Sequence, residues 1–253
     1  MLLAFLRRDL REEVARPAGA LLQLGGTVVQ ALFWALLGRA LEPGRAGYFA
    51  FVAVGGAVLN ALHGPLYGLA AGLARERQLG TLDFLLQSRR PVAQWAAGFL
   101  AWPTVWSAGL TVLYLAVMAA LGLPISAAGA LPLALTLLCA LPVYWGAALL
   151  CGAWTLRFRR GQPLAWVMGA GSMLVGGVFI LVDRLPRWAA PLAPLAPTYQ
   201  PARMARIALA EGRLDGGGAL WLLGAGALAL MAGWLALAWA VSWLRASGDL
   251  SAD

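Results

Sequence analysis

The stretch RERQLGTLDFLLQSRRP, Arg75 to Pro91, is compact, charged and helix-like, yet strongly apolar sequence lies on both sides of it. Gly80 permits a sharp turn, and Thr81 is placed to cap a short helix. Asp83 falls in the first turn, where a carboxylate suits the positive end of the helix dipole. Leu82, Leu85 and Leu86 give the short helix an apolar face, and Arg89, Arg90 and Pro91 close it. The expectation is a rigid charged knob carried between two long helices.

The rest of the chain explains why such a knob stands out. Of its 253 residues, 61% are hydrophobic and 12% charged, and the mean hydropathy is +0.76. A soluble domain averages roughly 45–50% apolar and about 25% charged residues. A soluble fold of this length cannot hide so much apolar surface, so the composition predicts a polytopic membrane protein. The net charge of +8 comes from arginine alone, because the chain has no lysine. The pI near 10.7 does not point to nucleic acid here, because the arginines sit at the ends of apolar runs, where they set membrane topology. Cys139 and Cys151 lie in one apolar run, with neither disulfide-framework nor metal-ligand spacing. They read as small apolar residues and leave the redox compartment open.

Before the first apolar run, residues 1–17 predict an interfacial amphipathic helix. Leu3, Leu6, Leu10 and Val14 recur at helical spacing, with Arg7, Arg8, Asp9, Arg11, Glu12 and Glu13 on the other face. Six apolar runs follow, near 18–40, 48–74, 95–122, 129–156, 163–183 and 219–244, each near or above the roughly 20 residues a spanning helix needs. The fold expected is therefore all-α and integral to the membrane. It has six transmembrane helices over 18–244, a knob at about 75–91, a helical outer element at about 184–218 and a tail at 245–253. With the N-terminus in the cytoplasm, twelve of the nineteen arginines fall on inward segments and seven on outward ones. This bias places both termini and the knob inside. The dissenting segment is the outer loop at 184–218, with five arginines, including Arg203 and Arg206. Within it Ala202 to Ala210 reads as a short helix, with Pro201 in its first turn, ended by Gly212 and the Gly216–Gly218 run.

The knob has a resemblance that its charge alone does not give. Glu76-Arg-Gln-Leu-Gly80-Thr81-Leu82-Asp83, followed by Leu85-Leu86 and Arg89-Arg90-Pro91, resembles the membrane subunits of type-2 ABC exporters. APTYQPARMARIALAEG, Ala196 to Gly212, looks like that family's segment before its last span, with Ala-Pro in place of Asn-Pro-Leu and an additional proline, Pro201. The resemblance implies that the knob is a coupling helix, with Glu76, Gly80, Thr81, Leu82 and Asp83 contacting a separate ATPase subunit. It also implies a dimer of membrane subunits around a translocation path in the cell membrane. No cofactor is expected on this chain, with ATP and magnesium used by the partner. A standard P-loop needs a lysine after its glycines, which independently puts ATP chemistry on another polypeptide.

Polar residues inside spans are the candidates for a path. Gln23, Thr27 and Gln30 share one face of the first run, and Asn60, His63 and Tyr67 share one face of the second. Both stripes read either as path lining or as hydrogen bonding between helices of one subunit. His63 is the only histidine and has no acidic cluster beside it, so a metal role is not expected. Two other classes share an apolar, multi-span composition. A membrane enzyme acting on lipids, or an ion-coupled transporter, calls for intramembrane carboxylate or histidine clusters. Here Asp183 stands at a run end and the histidine is alone.

Overall fold

The computed structural model describes residues 7–11, 17–41, 46–87, 91–158 and 163–247. These are helical throughout their main elements, with no strand among the described residues. Five helices are long and apolar enough to cross a membrane: α1 (Pro17–Leu41), α2 (Ala46–Gln78), α4 (Val92–Ala120), α5 (Ala127–Phe158) and α8 (Gly216–Ser247). Shorter helices are α3 (Leu82–Gln87), α6 (Pro163–Val175) and α7 (Tyr199–Glu211). Of the expected amphipathic helix only residues 7–11 are described, and these are helical. The remainder of 1–16, Arg89, Arg90 and the end of the tail lie outside the described residues.

The central helix is α2, which is far more buried than the other four long helices. It packs on α1, α4, α5, α6 and α7. Small residues permit its contact with α4. A Cβ on Gly64 would collide with the Pro103 carbonyl and the Ser107 side chain. The most extensive pair is α5 with α8, where Gly146 and Gly233 bring the two backbones together. Without a hydrophobic driving force between helices in lipid, such close van der Waals approach is a main source of association. By contrast α4 and α5, although consecutive, scarcely touch. An apolar groove of about 590 Å³ separates them, walled by residues such as Val112, Leu115, Leu133 and Leu137.

The bundle has two distinct ends. Arg8 lies beside Glu76, Arg77 reaches the Thr155 carbonyl at 3.5 Å, and Arg245 reaches the Leu86 carbonyl, so these segments share one end. At the other, Arg39 donates to the Leu121 carbonyl and Arg206 to the Phe51 carbonyl.

The expected span over 163–183 is not one continuous helix. The α6 helix has 13 residues, so it is about 20 Å long at 1.5 Å per residue, against a hydrocarbon core of about 30 Å. It stops at Gly176–Gly177, where Gly177 takes a left-handed φ of 66°, a conformation that costs any other L-residue. Beyond the break the chain continues through bends and two 3-10 turns, Val182–Arg184 and Ala190–Leu195.

Three side chains satisfy the freed backbone. Thr198 Oγ1 donates to the Ser172 carbonyl at 3.2 Å. Tyr48 Oη donates to the Phe179 carbonyl at 3.1 Å. Arg206 donates to the carbonyls of Gly177 at 2.7 Å and Val178 at 3.3 Å, as well as to Phe51 at 3.2 Å. Irregular backbone is tolerated at membrane depth only where protein satisfies it in this way.

This corrects the reading of the last loop. Arg206 is not a free loop charge. Its guanidinium carbon lies 3.5 Å from the Phe51 ring centroid, and its helix buries Gln200, Pro201, Ala202, Met204, Ala205 and Ala208. Burial lowers its pKa to about 10, which still leaves it a cation at neutral pH. Removing it from the outward count strengthens the arginine bias. The helix runs from Tyr199 to Glu211, longer than the expected 202–210, and it ends at Gly212 with φ 64°, as the sequence indicated. The glycines 216–218 do not terminate it but open α8.

Candidate functional site

Two places gather the residues singled out by the sequence. The first is the knob. The α2 helix closes with Gly80 at φ 69°, and Thr81 N–H donates to the Glu76 carbonyl at 2.9 Å. The Thr81 hydroxyl reaches back to the Glu76 carboxylate Oε2 at 2.5 Å and its carbonyl at 3.2 Å. It therefore braces the turn instead of capping α3. The other carboxylate oxygen of Glu76 lies 3.8 Å from Arg8 Nη1.

Below the turn, Leu82 and Leu86 are buried against Leu73, Trp95, Leu156 and Leu244. Arg245 closes α3 from α8, with Nε at 2.9 Å and Nη2 at 2.6 Å from the Leu86 carbonyl. A cation at a helix C-terminus suits both the orphan carbonyl and the dipole.

The sequence-nominated residues thus separate by role. Glu76 and Thr81 hold the turn, Gly80 makes it possible, and Leu82 anchors the knob to the bundle. Asp83 is partly exposed in the first turn of α3. The outermost apolar groups are two that the sequence reading passed over, Leu79 at 62% and Phe84 at 77% exposure. Phe84 stands on the side of α3 away from the leucines. An aromatic residue opposite an apolar helical face was the available signal.

The second place is a cavity of about 350 Å³ between α1, α2 and α4. Gln23, Thr27 and Gln30 line it from α1, Asn60 and His63 from α2, and Trp106, Ser107 and Leu110 from α4. The two predicted stripes therefore meet, except for Tyr67. Its ring sits 5.7 Å from that of His63 and 5.9 Å from that of Trp166, so it bridges α2 to α6. Trp106 Nε1 donates to Gln23 Oε1, an interhelical bond of the kind the packing reading expects. Thr27 donates to the Gln23 carbonyl at 2.9 Å. Asn60 Nδ2 is buried and has no hydrogen-bond partner. Trp106 and Ser107 escaped the sequence reading, although Thr104, Ser107 and Thr111 recur in their own run at the same spacing of three and four.

These features define a multi-pass, all-helical membrane protein with a braced cap at one end and a polar cavity among its spans. Residues 2–209 match the family model described as ABC-2 type transporter, and the chain belongs to that family. It is thus a transmembrane permease of the ABC transporter class. The matched segment runs from the N-terminal region into α7 and stops before α8. No curated protein matches the chain.

Proposed function

We propose that this chain is the permease subunit of an ATP-driven exporter, working as a dimer in the cell membrane with a separate ATPase. The knob docks on that ATPase, which binds and hydrolyses ATP with magnesium. Both termini and the knob face the cytoplasm. The sixth crossing is made by α6 together with the irregular segment after Gly177. ATP-driven closure of the ATPases moves the knobs and switches the path from inward- to outward-open.

The observation that carries this reading is the knob's construction. Glu76–Thr81 and Arg245–Leu86 tie the knob inward, while Leu79 and Phe84 are left outward. A plain topology-setting loop needs neither a braced turn nor an exposed aromatic. Docking is thus assigned to Leu79 and Phe84, with Asp83 and Gly80 at the rim. Glu76, Thr81 and Leu82 set the knob's shape.

The test is coexpression with the candidate ATPase and copurification. Phe84→Ser should insert normally and lose most ATPase capture. Glu76→Ala should weaken capture and lower transport per ATP hydrolysed. Normal capture and transport by both variants would sink the docking assignment.

A further inference from the structure

We infer that the α1–α2–α4 cavity is a binding site for an uncharged ligand group that presents a hydrogen-bond acceptor, a carbonyl or ether oxygen on an otherwise apolar body. The inference rests on the permease reading and adds the chemistry of what the site accepts.

The polar groups lining the cavity are amides, hydroxyls, an imidazole and an indole. No arginine, aspartate or glutamate is among them. The buried Arg206 is committed to the break. An ionised group entering this cavity would lose its hydration without meeting a counter-charge, a penalty far larger than one hydrogen bond returns. A neutral group loses much less.

Asn60 supplies the directional element. The residue is 8% exposed, it lines the cavity, and its Nδ2 has no acceptor. Buried side-chain donors are rarely left unpaired. The neighbouring Gln23 Oε1 accepts from Trp106 Nε1, and Thr27 and Ser107 donate to backbone carbonyls of their own helices. Asn60 Nδ2 is a fully buried donor without a partner, so an acceptor arriving from outside pairs with it at no cost to an existing bond. The rings of Trp106 and His63 and the side chain of Leu110 supply walls for an apolar body. All the groups used lie on one chain.

The probes are three photoreactive ketones of matched shape: benzophenone, anionic 4-benzoylbenzoate and cationic (4-benzoylbenzyl)trimethylammonium. The full-length chain in lipid nanodiscs is irradiated with each, and adducts are mapped by mass spectrometry. Labelling around Gln30 and Trp106–Leu110 is divided by labelling of Leu137 and Leu138 in the apolar groove, which corrects for partitioning into lipid. Benzophenone should give a cavity-to-groove ratio at least fivefold above either charged analogue. Asn60→Leu should lower that ratio about three- to tenfold, the worth of one neutral hydrogen bond, and Asn60→Gln, which keeps an amide donor, should retain most of it. Equal ratios for the three probes on the parent chain overturn the inference whether or not the Leu variant accumulates. An unchanged ratio in an accumulated Asn60→Leu variant overturns it too. The readout involves no ATPase, so failed ATPase capture with intact labelling would count against the docking assignment alone.

Discussion

The knob and the break after α6 stand at opposite ends of α2 and face the same difficulty, a chain that stops being helical beside an apolar bundle. Phe51 and Glu76 are 25 residues apart on one helix, about 38 Å at 1.5 Å per residue. At the turn into the knob the solution is local. Thr81 satisfies Glu76 from five residues away, while the far end of α3 is closed by Arg245. At the break the solution is remote. A single cation, 29 residues beyond Gly177, closes the carbonyls of Gly177 and Val178. The difference teaches that at the break a charge stands in for missing backbone donors, whereas at the turn a carboxylate is held as a brace. The two should fail differently.

The largest effect is expected at the break. Arg206→Leu strands up to two buried carbonyls, those of Gly177 and Val178, at about 1–3 kcal/mol each, so accumulation or detergent melting temperature should fall sharply. Arg206→Lys, which keeps the charge but not the planar fork, should fall between it and the parent. If Arg206→Leu melts like the parent, the break does not depend on its remote cation.

Next comes Gly177→Ala, which forces a side chain into the left-handed region at roughly 1–2 kcal/mol. The same substitution at Gly80 meets open space on every side and carries only that backbone cost. A larger melting shift at Gly177 than at Gly80 would show that the packed end tolerates less adjustment.

The smallest stability effect belongs to Phe84→Ser, a change at an exposed position expected to stay within about 0.5 kcal/mol. A loss well above that would mean the ring packs on this chain and is not free for docking.

The sidedness of the comparison is tested without any change in stability. Single cysteines at Gln87 and Gly217, both exposed, in a background lacking Cys139 and Cys151, should react oppositely with an impermeant thiol reagent from outside. Equal labelling would place both ends of α2 on one side of the membrane.

What the sequence disclosed follows the same division. The apolar run lengths disclosed the five long helices, because a spanning helix is specified by its own residues. The turn at Gly80 was legible for the same reason. The break at Gly176–Gly177 was not, because the apolar run continues through it to Leu181 and the cation that completes it looks like an ordinary loop arginine. The polar stripes were visible as spacings of three and four. Their convergence was hidden because it depends on the contact between α2 and α4 at Gly64, which also brings in Trp106 and Ser107. Phe84 was legible in principle, as the aromatic residue on the wrong side of a leucine face.

The fork from Arg245 to Leu86 has a mechanical consequence. A knob joined to the bundle only through α2 and α4 would act as a hinge flap, free to tilt. With the last helix gripping its far end, α3 has a third anchor. Tilting it must either rupture that grip or drag α8, and α8 is packed along α5. A push on the tip therefore enters the bundle as a torque shared by four long helices, which a flap could not transmit.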